Sequence, residues 1–328
     1  VLAITPVTDP AVWDAEISAL GGHPLQLWGW GEVKAAGAWT AHRVLVHDDE
    51  TTVGAAQVLV RSLPWPLRRL SYVPRGPAVA DEGVRSAVTR AVVDWTRDHV
   101  GGIGITVEPP WPRETVLDVP GARPATERVL LPDTLIVDLT RPADDLMADM
   151  KQGARQRVRK ALRGDLVVRE VTDEEIDTIV EVYHQVAARA GFALHPDSYY
   201  RRVRTELGAR HSPVIAAFDG QTPVAFMWLA ASDATAFELY AGATDAGQRL
   251  NANYALKWHA WSLMKERGLR EYDLNGLLND GISEFKRGWA RHETPLVRAF
   301  DVPFGPTYRL WQVGAPAAKR LHRALRRP

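Results

Sequence analysis

The 328-residue chain contains no cysteine. That excludes disulfides, thiolate nucleophiles and cysteine-ligated zinc, and it is compatible with a reducing compartment. Long hydrophobic runs are missing too. The longest, Val224 to Ala231, is far short of the roughly 20 residues that a membrane-spanning helix needs. The opening VLAITPVTDP has neither a basic n-region nor an apolar h-region, so no signal peptide is read there and a cytoplasmic location is expected. Net charge is absent as well: forty basic and forty acidic residues cancel, so contact with a polyanion must rest on a local patch. The ten histidines show no HExxH motif and no paired metal spacing, and no metal site is expected. Neither a GxSxG elbow nor a Walker lysine occurs, which disfavours a serine hydrolase and a P-loop nucleotidase.

What is present suits a folded chain. Hydrophobic residues make 46% and charged residues 24% of it, and the length suits two domains of ordinary size. Asp9 and Pro10 open a helix with Val12, Trp13, Ile17 and Leu20, which Gly21 and Gly22 stop. A segment from Leu25 to Ala36 carries Trp28, Trp30 and Val33 as core or cleft-wall residues. Two β-rich runs, Ala41 to Val46 and Val53 to Val60, flank the polar HDDETT as a hairpin, and Leu70 to Val73 adds a third strand. Val84, Val88, Val92 and Trp95 fall on one helical face, and a strand from Ile103 to Val107 follows.

The second half repeats this order. Val214 to Ala230 reads as a hairpin, Ala236 to Ala241 as a strand, Leu250 to Arg267 as a helix and Leu269 to Leu274 as a strand. Hairpin, strand, helix and strand, twice over, predict an α/β (α+β) chain of two similar domains, each a mixed sheet flanked by helices. The expected domains are residues 1–137, with a C-terminal helix over 306–328 packing back on them, and residues 138–305.

Three places carry candidate chemistry. The glycine-punctuated stretch from Asn275 to Trp289 follows a strand and has Lys286 at its centre. A lysine ammonium held there by Phe285 and by turns at Gly281 and Gly288 can stabilise an oxyanion; the alternative is a solvated loop lysine. Lys151, Arg155, Arg159 and Arg163 recur every four residues, with no acidic residue between Lys151 and Gly164. Such a face suits a polyanion such as RNA, or is simply solvated. His195, Tyr199 and Tyr200 stand on a loop that enters a helix.

The repeated order resembles the acetyltransferase superfamily fold. Where those enzymes carry a pyrophosphate-binding turn, Q/R-x-x-G-x-G/A, this chain reads TDAGQRLNAN, which lacks the second and third signature positions, so acetyl-CoA is not expected. WGEVK with Trp39, the YVPRGP turn, IVDLT followed by RQRVRKA, Arg189 before GF, the Tyr199–Tyr200 pair, ELYAGAT, YDLNG and EFKRGW together resemble the Fem family of aminoacyl-tRNA-dependent transferases. The resemblance spans nearly the whole chain. It implies two acetyltransferase-like (GNAT-like) domains and an aminoacyltransferase. Such an enzyme passes an amino acid from aminoacyl-tRNA, its co-substrate in place of any cofactor, to the amine of a peptidoglycan precursor stem peptide.

Residue by residue, the resemblance makes Lys286 the lysine acting at the aminoacyl ester, with Phe285 beside it. It makes Lys34 a grip for acceptor phosphates, places Tyr199, Tyr240 and Arg189 at the acceptor, and leaves tRNA contact to Lys151, Arg155, Arg159, Arg163 and the basic C-terminus. His195 stands where the pattern leads one to expect a second phosphate-gripping arginine, and a neutral imidazole is a weaker diphosphate ligand than a guanidinium. The acceptor is therefore a nucleotide- or lipid-linked muropeptide or another peptide amine. The competing readings are the same transfer onto a peptide natural product and a non-catalytic RNA-binding or scaffold protein.

Overall fold

The computed structural model describes residues 2–278 and 281–314. In chain order the elements begin with β1 (Ala3–Pro6), α1 (Pro10–Ala19), α2 (Trp28–Ala35), β2 (Trp39–Asp48), β3 (Thr51–Ser62), β4 (Arg69–Pro74), β5 (Ala78–Val79), α3 (Arg85–Trp95), β6 (Gly104–Glu108) and β7 (Arg123–Pro124). There follow β8 (Asp133–Thr134), β9 (Ile136–Asp138), α4 (Ala143–Asp149), α5 (Gln152–Ala161), β10 (Val167–Glu170), α6 (Ile176–Ala190) and α7 (Asp197–His211). The chain continues with β11 (Val214–Asp219), β12 (Thr222–Ala231), β13 (Thr235–Ala243), α8 (Asp245–Arg249), α9 (Ala252–Glu266), β14 (Glu271–Asp273), α10 (Gly281–Lys286), β15 (Thr294–Pro295) and β16 (Phe300–Pro303).

Two units result. The first holds the described residues up to Pro132 and from Pro295 onward; the second runs from Asp133 to Thr294. In the first, β1, β2, β3 and β4 pair antiparallel in turn, β4 pairs parallel with β6, and β16 lies antiparallel on β6. In the second, β10, β11, β12 and β13 pair antiparallel in turn, β13 pairs parallel with β14, and β9 lies antiparallel on β14. The predicted repeat is thus a repeat of topology, and α3 and α9 are the crossover helices that a parallel pair requires.

The expected boundaries shift. Residues 136–138 pair within the second sheet, and β16, expected in residues 138–305, belongs to the first sheet through β6 and β7. Neither placement is written in local periodicity, because a three- or four-residue strand finds its sheet by long-range pairing. Of the helix expected over 306–328, residues 308–314 are helical and 315–328 lie outside the described residues.

Local chemistry explains the helix ends. Asp9 caps α1 by accepting from Ala11 N at 2.8 Å, with Pro10 at the first helical position. Thr172 and Glu175 form a reciprocal capping box ahead of α6, which Gly191 ends in the left-handed conformation. In the first unit α3 buries Val88, Val92 and Val93 against Val44, Val58 and Ile105, each fully buried side chain contributing about 1.5–3 kcal/mol. Gly54 permits that approach: a Cβ there would come within 2.5 Å of a Val88 methyl. In the second unit α9 buries Leu256, Trp261 and Met264 against Met227, Leu229 and Tyr272, while Ala154, Val158 and Ala161 of α5 complete the same core. The opposite face of that sheet meets α6 and α7, where Tyr183 packs on Phe226 and Tyr200 on Trp228.

Candidate active site in the second unit

Parallel pairing of β13 with β14 ends at Phe237 and Asp273. Beyond it the strand ends diverge, and the carboxyl ends of parallel strands are where such sheets bind ligands. Asn275 follows with φ 59°, a left-handed conformation that asparagine tolerates. Its Nδ2 donates to Glu238 O at 2.9 Å and its main-chain N to Asp273 Oδ1 at 2.8 Å, so the turn is clipped to both strands. The chain then enters α10, a short helix where a loop was expected, and Lys286 is its last residue. The Lys286 ammonium donates to Asn275 O at 2.8 Å and to Gly276 O at 3.0 Å, which fixes a half-buried positive charge at the divergence. Phe285 stands edge-on to Tyr254 at 5.1 Å and to Trp289 at 5.8 Å.

A β-bulge organises what lies on either side. Trp228 pairs with Tyr240 but Leu229 with Glu238, so Leu239 is an extra residue and the alternation of side chains reverses. Glu238 therefore faces α9 and Tyr240 faces α6 and α7. Glu238 accepts a hydrogen bond from Lys257, with side chains only 8% and 2% exposed. The Lys257 ammonium lies about as far from the ring centres of Phe285 (5.7 Å), Trp289 (5.8 Å) and Tyr272 (6.0 Å). Burial draws its pKa below the usual lysine value while Glu238 opposes the shift, and burial, aided by Glu238, holds the Tyr272 phenol well above the usual tyrosine value. Sequence reading missed this pair. Its trace was a lysine on the apolar stripe of Tyr254, Trp261 and Met264, and a glutamate inside an apolar strand.

On the other face the tyrosines converge. The Tyr240 and Tyr199 hydroxyls are 3.4 Å apart, His195 stacks on Tyr199 with ring centres at 4.2 Å, and Tyr200 stands edge-on to Tyr240 at 5.2 Å. Tyr183 joins them; burial, with Tyr200 adding to it, raises its pKa to about 12, and burial raises Tyr240 likewise, so these phenols are protonated donors at neutral pH. The structure thus brings His195, Tyr199 and Tyr240 together.

Arg189 is engaged elsewhere, donating to Asp245 at 2.6 Å and to Ala243 O at 2.7 Å, which ties the end of α6 to the start of α8. Lys34 belongs to the first unit, in the last turn of α2, with its ammonium 4.3 Å from the centre of the Trp30 ring. In α5, Ala154, Val158 and Ala161 face inward; Lys151 and Arg159 are exposed, Arg163 lies just beyond the helix, and Arg155 donates to Ala148 O at 3.2 Å. Arg157 donates to the Tyr254 hydroxyl at 2.8 Å and so links the basic helix to the rings around Phe285.

In the first unit the matching strand end also carries a buried carboxylate. Glu108 accepts from the Tyr72 hydroxyl at 2.5 Å and from Val129 N at 2.9 Å, and burial raises its pKa.

Comparison with known proteins agrees with this architecture. Residues 148–287 match the acetyltransferase (GNAT) domain family. Over 198 residues the chain is 24% identical to a Lipid II:glycine glycyltransferase of Staphylococcus aureus, covering 56% of this chain and 47% of that protein. The chain therefore spans about half the length of the curated relatives it matches. Among solved structures, FemX superposes with a TM-score of 0.84 at 18% identity over 94% of this chain and all of that one. The C-terminal domain of a putative lysylphosphatidylglycerol synthetase from Agrobacterium fabrum superposes with a TM-score of 0.54 at 16% identity, covering 97% of this chain and 96% of that one. These superpositions establish the fold. The acetyltransferase (GNAT) match over residues 148–287 and the superposition on FemX together give the chain a mixed α/β fold of two acetyltransferase-like units.

Proposed function

We propose that the chain is an aminoacyltransferase that joins an amino acid carried on tRNA to the amine of a peptidoglycan precursor stem peptide in the cytoplasm. The observation that carries the proposal is the Lys286 ammonium, held by the carbonyls of Asn275 and Gly276 where β13 and β14 diverge. Attack of an uncharged amine on the aminoacyl ester forms the C–N bond and pushes electron density onto the carbonyl oxygen. Collapse then breaks the ester C–O bond, and the proton lost from the amine goes, directly or through solvent, to the departing ribose oxygen. A preorganised cation stabilises the oxyanion, and the ester is activated already, so alignment and charge stabilisation are the main tasks.

Phe285, Tyr254 and Trp289 supply an apolar wall beside Lys286. The phenols of Tyr199 and Tyr240 present donors to the acceptor, with Lys34 as the phosphate contact, and the Lys151, Arg155, Arg159 and Arg163 edge faces the tRNA backbone. No acetyl-CoA enters this scheme, in which the charged tRNA is itself the acyl donor. The glycyltransferase relative, named for Lipid II and glycine, supports a lipid-linked acceptor. A second reading, transfer onto a peptide natural product, is favoured by one observation, the imidazole of His195 stacked on Tyr199 at the acceptor tyrosines.

The test is incubation with pooled charged tRNAs and, separately, a nucleotide-linked muropeptide, a lipid-linked muropeptide and a free peptide amine, read by mass spectrometry. Aminoacylated muropeptide, lost in Lys286→Met, is the expected product. Activity on the free peptide alone supports the second reading, and no transfer from any charged tRNA overturns both.

A further inference from the structure

The turn between β3 and β4 is a rigid tip. Leu63 N donates to Arg68 O at 2.7 Å and Leu67 N to Pro64 O at 2.9 Å, and between them Trp65 projects 86% exposed. Leu63 and Leu67 pack inward, with Trp311, on a small separate core of Leu70, Ile103 and Tyr308. Trp311 lies in the helical residues 308–314, whose Leu310 and Val313 are 55% and 76% exposed. The Trp65 turn and the helical turn that carries Leu310 and Val313 are thus both anchored on one small core. Around them Arg61, Arg68 and Arg309 are exposed, and Arg69 donates to Val100 O. The sequence has no acidic residue from Thr51 to Ala80 and none after Asp301.

We propose that this end of the first unit is a peripheral docking surface for an anionic lipid bilayer. The exposed side chains suit the headgroup boundary: an indole prefers that depth, the aliphatic chains enter the acyl region, and the arginines meet lipid phosphates. Single-stranded RNA is the poorer fit, because leucine and valine offer no ring face on which bases stack. Among the described residues no helix is long and apolar enough to cross a membrane, and the attachment proposed is a peripheral one. Docking does not depend on the transferase reading, and the assay below involves no turnover.

The experiment is co-sedimentation of the full chain with vesicles of phosphatidylcholine mixed with phosphatidylglycerol, and with vesicles of phosphatidylcholine alone. Wild type should bind the anionic vesicles and be released by salt. Arg61→Gln combined with Arg68→Gln should lower the partition coefficient by roughly 30-fold. Trp65→Ser should weaken binding to the anionic vesicles as well, and neither variant should shift thermal unfolding, since all three positions are exposed. Equal binding of wild type and variants overturns the proposal, as does failure of wild type to bind. So does a loss of charged-tRNA affinity in these variants with vesicle binding unchanged, which would assign the surface to RNA.

Discussion

Lys257→Met should destabilise the second unit far more than a lysine substitution ordinarily does. The Lys257 and Glu238 side chains are 2% and 8% exposed and meet as an ion pair beneath Tyr272, Phe285 and Trp289. Removing one partner leaves the other charge buried and uncompensated, which costs about 3–5 kcal/mol. Lys257→Met strands the carboxylate and Glu238→Leu strands the ammonium, so additive behaviour would predict about 6–10 kcal/mol for the double variant. The double variant removes both charges and keeps apolar bulk, and should lie near wild type or be more stable by about 1–4 kcal/mol. Urea unfolding of the four proteins, with equal m-values required, gives the coupling directly.

The pH dependence supplies a second signature. Burial lowers the Lys257 pKa in the folded state, and Glu238 opposes that; without Glu238 the depression deepens. In Glu238→Leu the unfolded chain then binds a proton that the folded chain does not. Its stability should therefore rise with pH towards the ordinary lysine value of 10.5. Additive losses, or a Glu238→Leu variant indifferent to alkaline pH, would refute the reasoning.

Asn275→Gly keeps the left-handed turn and loses the side-chain bonds to Glu238 O and from Gly276 N, whereas Asn275→Ala must also hold φ near 59°, costing about 1 kcal/mol more. Thermal unfolding should rank wild type above glycine above alanine, and alanine equal to wild type would remove the turn as a constraint on Lys286. Arg155→Gln with Arg159→Gln should weaken charged-tRNA binding and reduce the slope of log affinity against log salt by roughly 1.4 to 1.8; an unaltered slope would leave that face solvated. The hydrogen bond from Arg169, helped by the Thr172 amide, holds the Glu175 pKa at about 2 against an ordinary 4.5. Its contribution is complete above the ordinary value and is lost as pH falls through the folded one, so Glu175→Gln should flatten the loss of urea resistance in that window. Identical acid profiles for wild type and variant would contradict the capping box.

The repeat was legible because hairpins and amphipathic helices are local patterns: Ala41 to Val60 and Val214 to Ala230 announce their strands by run and turn, and Val84 to Trp95 its helix by period. Short motifs such as EFKRGW carried the family resemblance and drew attention to Lys286, Phe285 and the Tyr199–Tyr200 pair. Sequence patterning alone determined the order of the elements and the residue types available for the proposed acyl transfer. The tertiary structure alone decided that Ile136–Asp138 and Phe300–Pro303 close different sheets, and that an extra residue at Leu239 sends Glu238 and Tyr240 to opposite faces. It also decided that Asn275 and Gly276 aim their carbonyls at Lys286 and that Lys257 is buried against Glu238. Periodicity is a property of neighbours in sequence. Strand partners, bulges and buried ion pairs depend on residues brought together from distant parts of the chain, and no local pattern encodes which of them will meet.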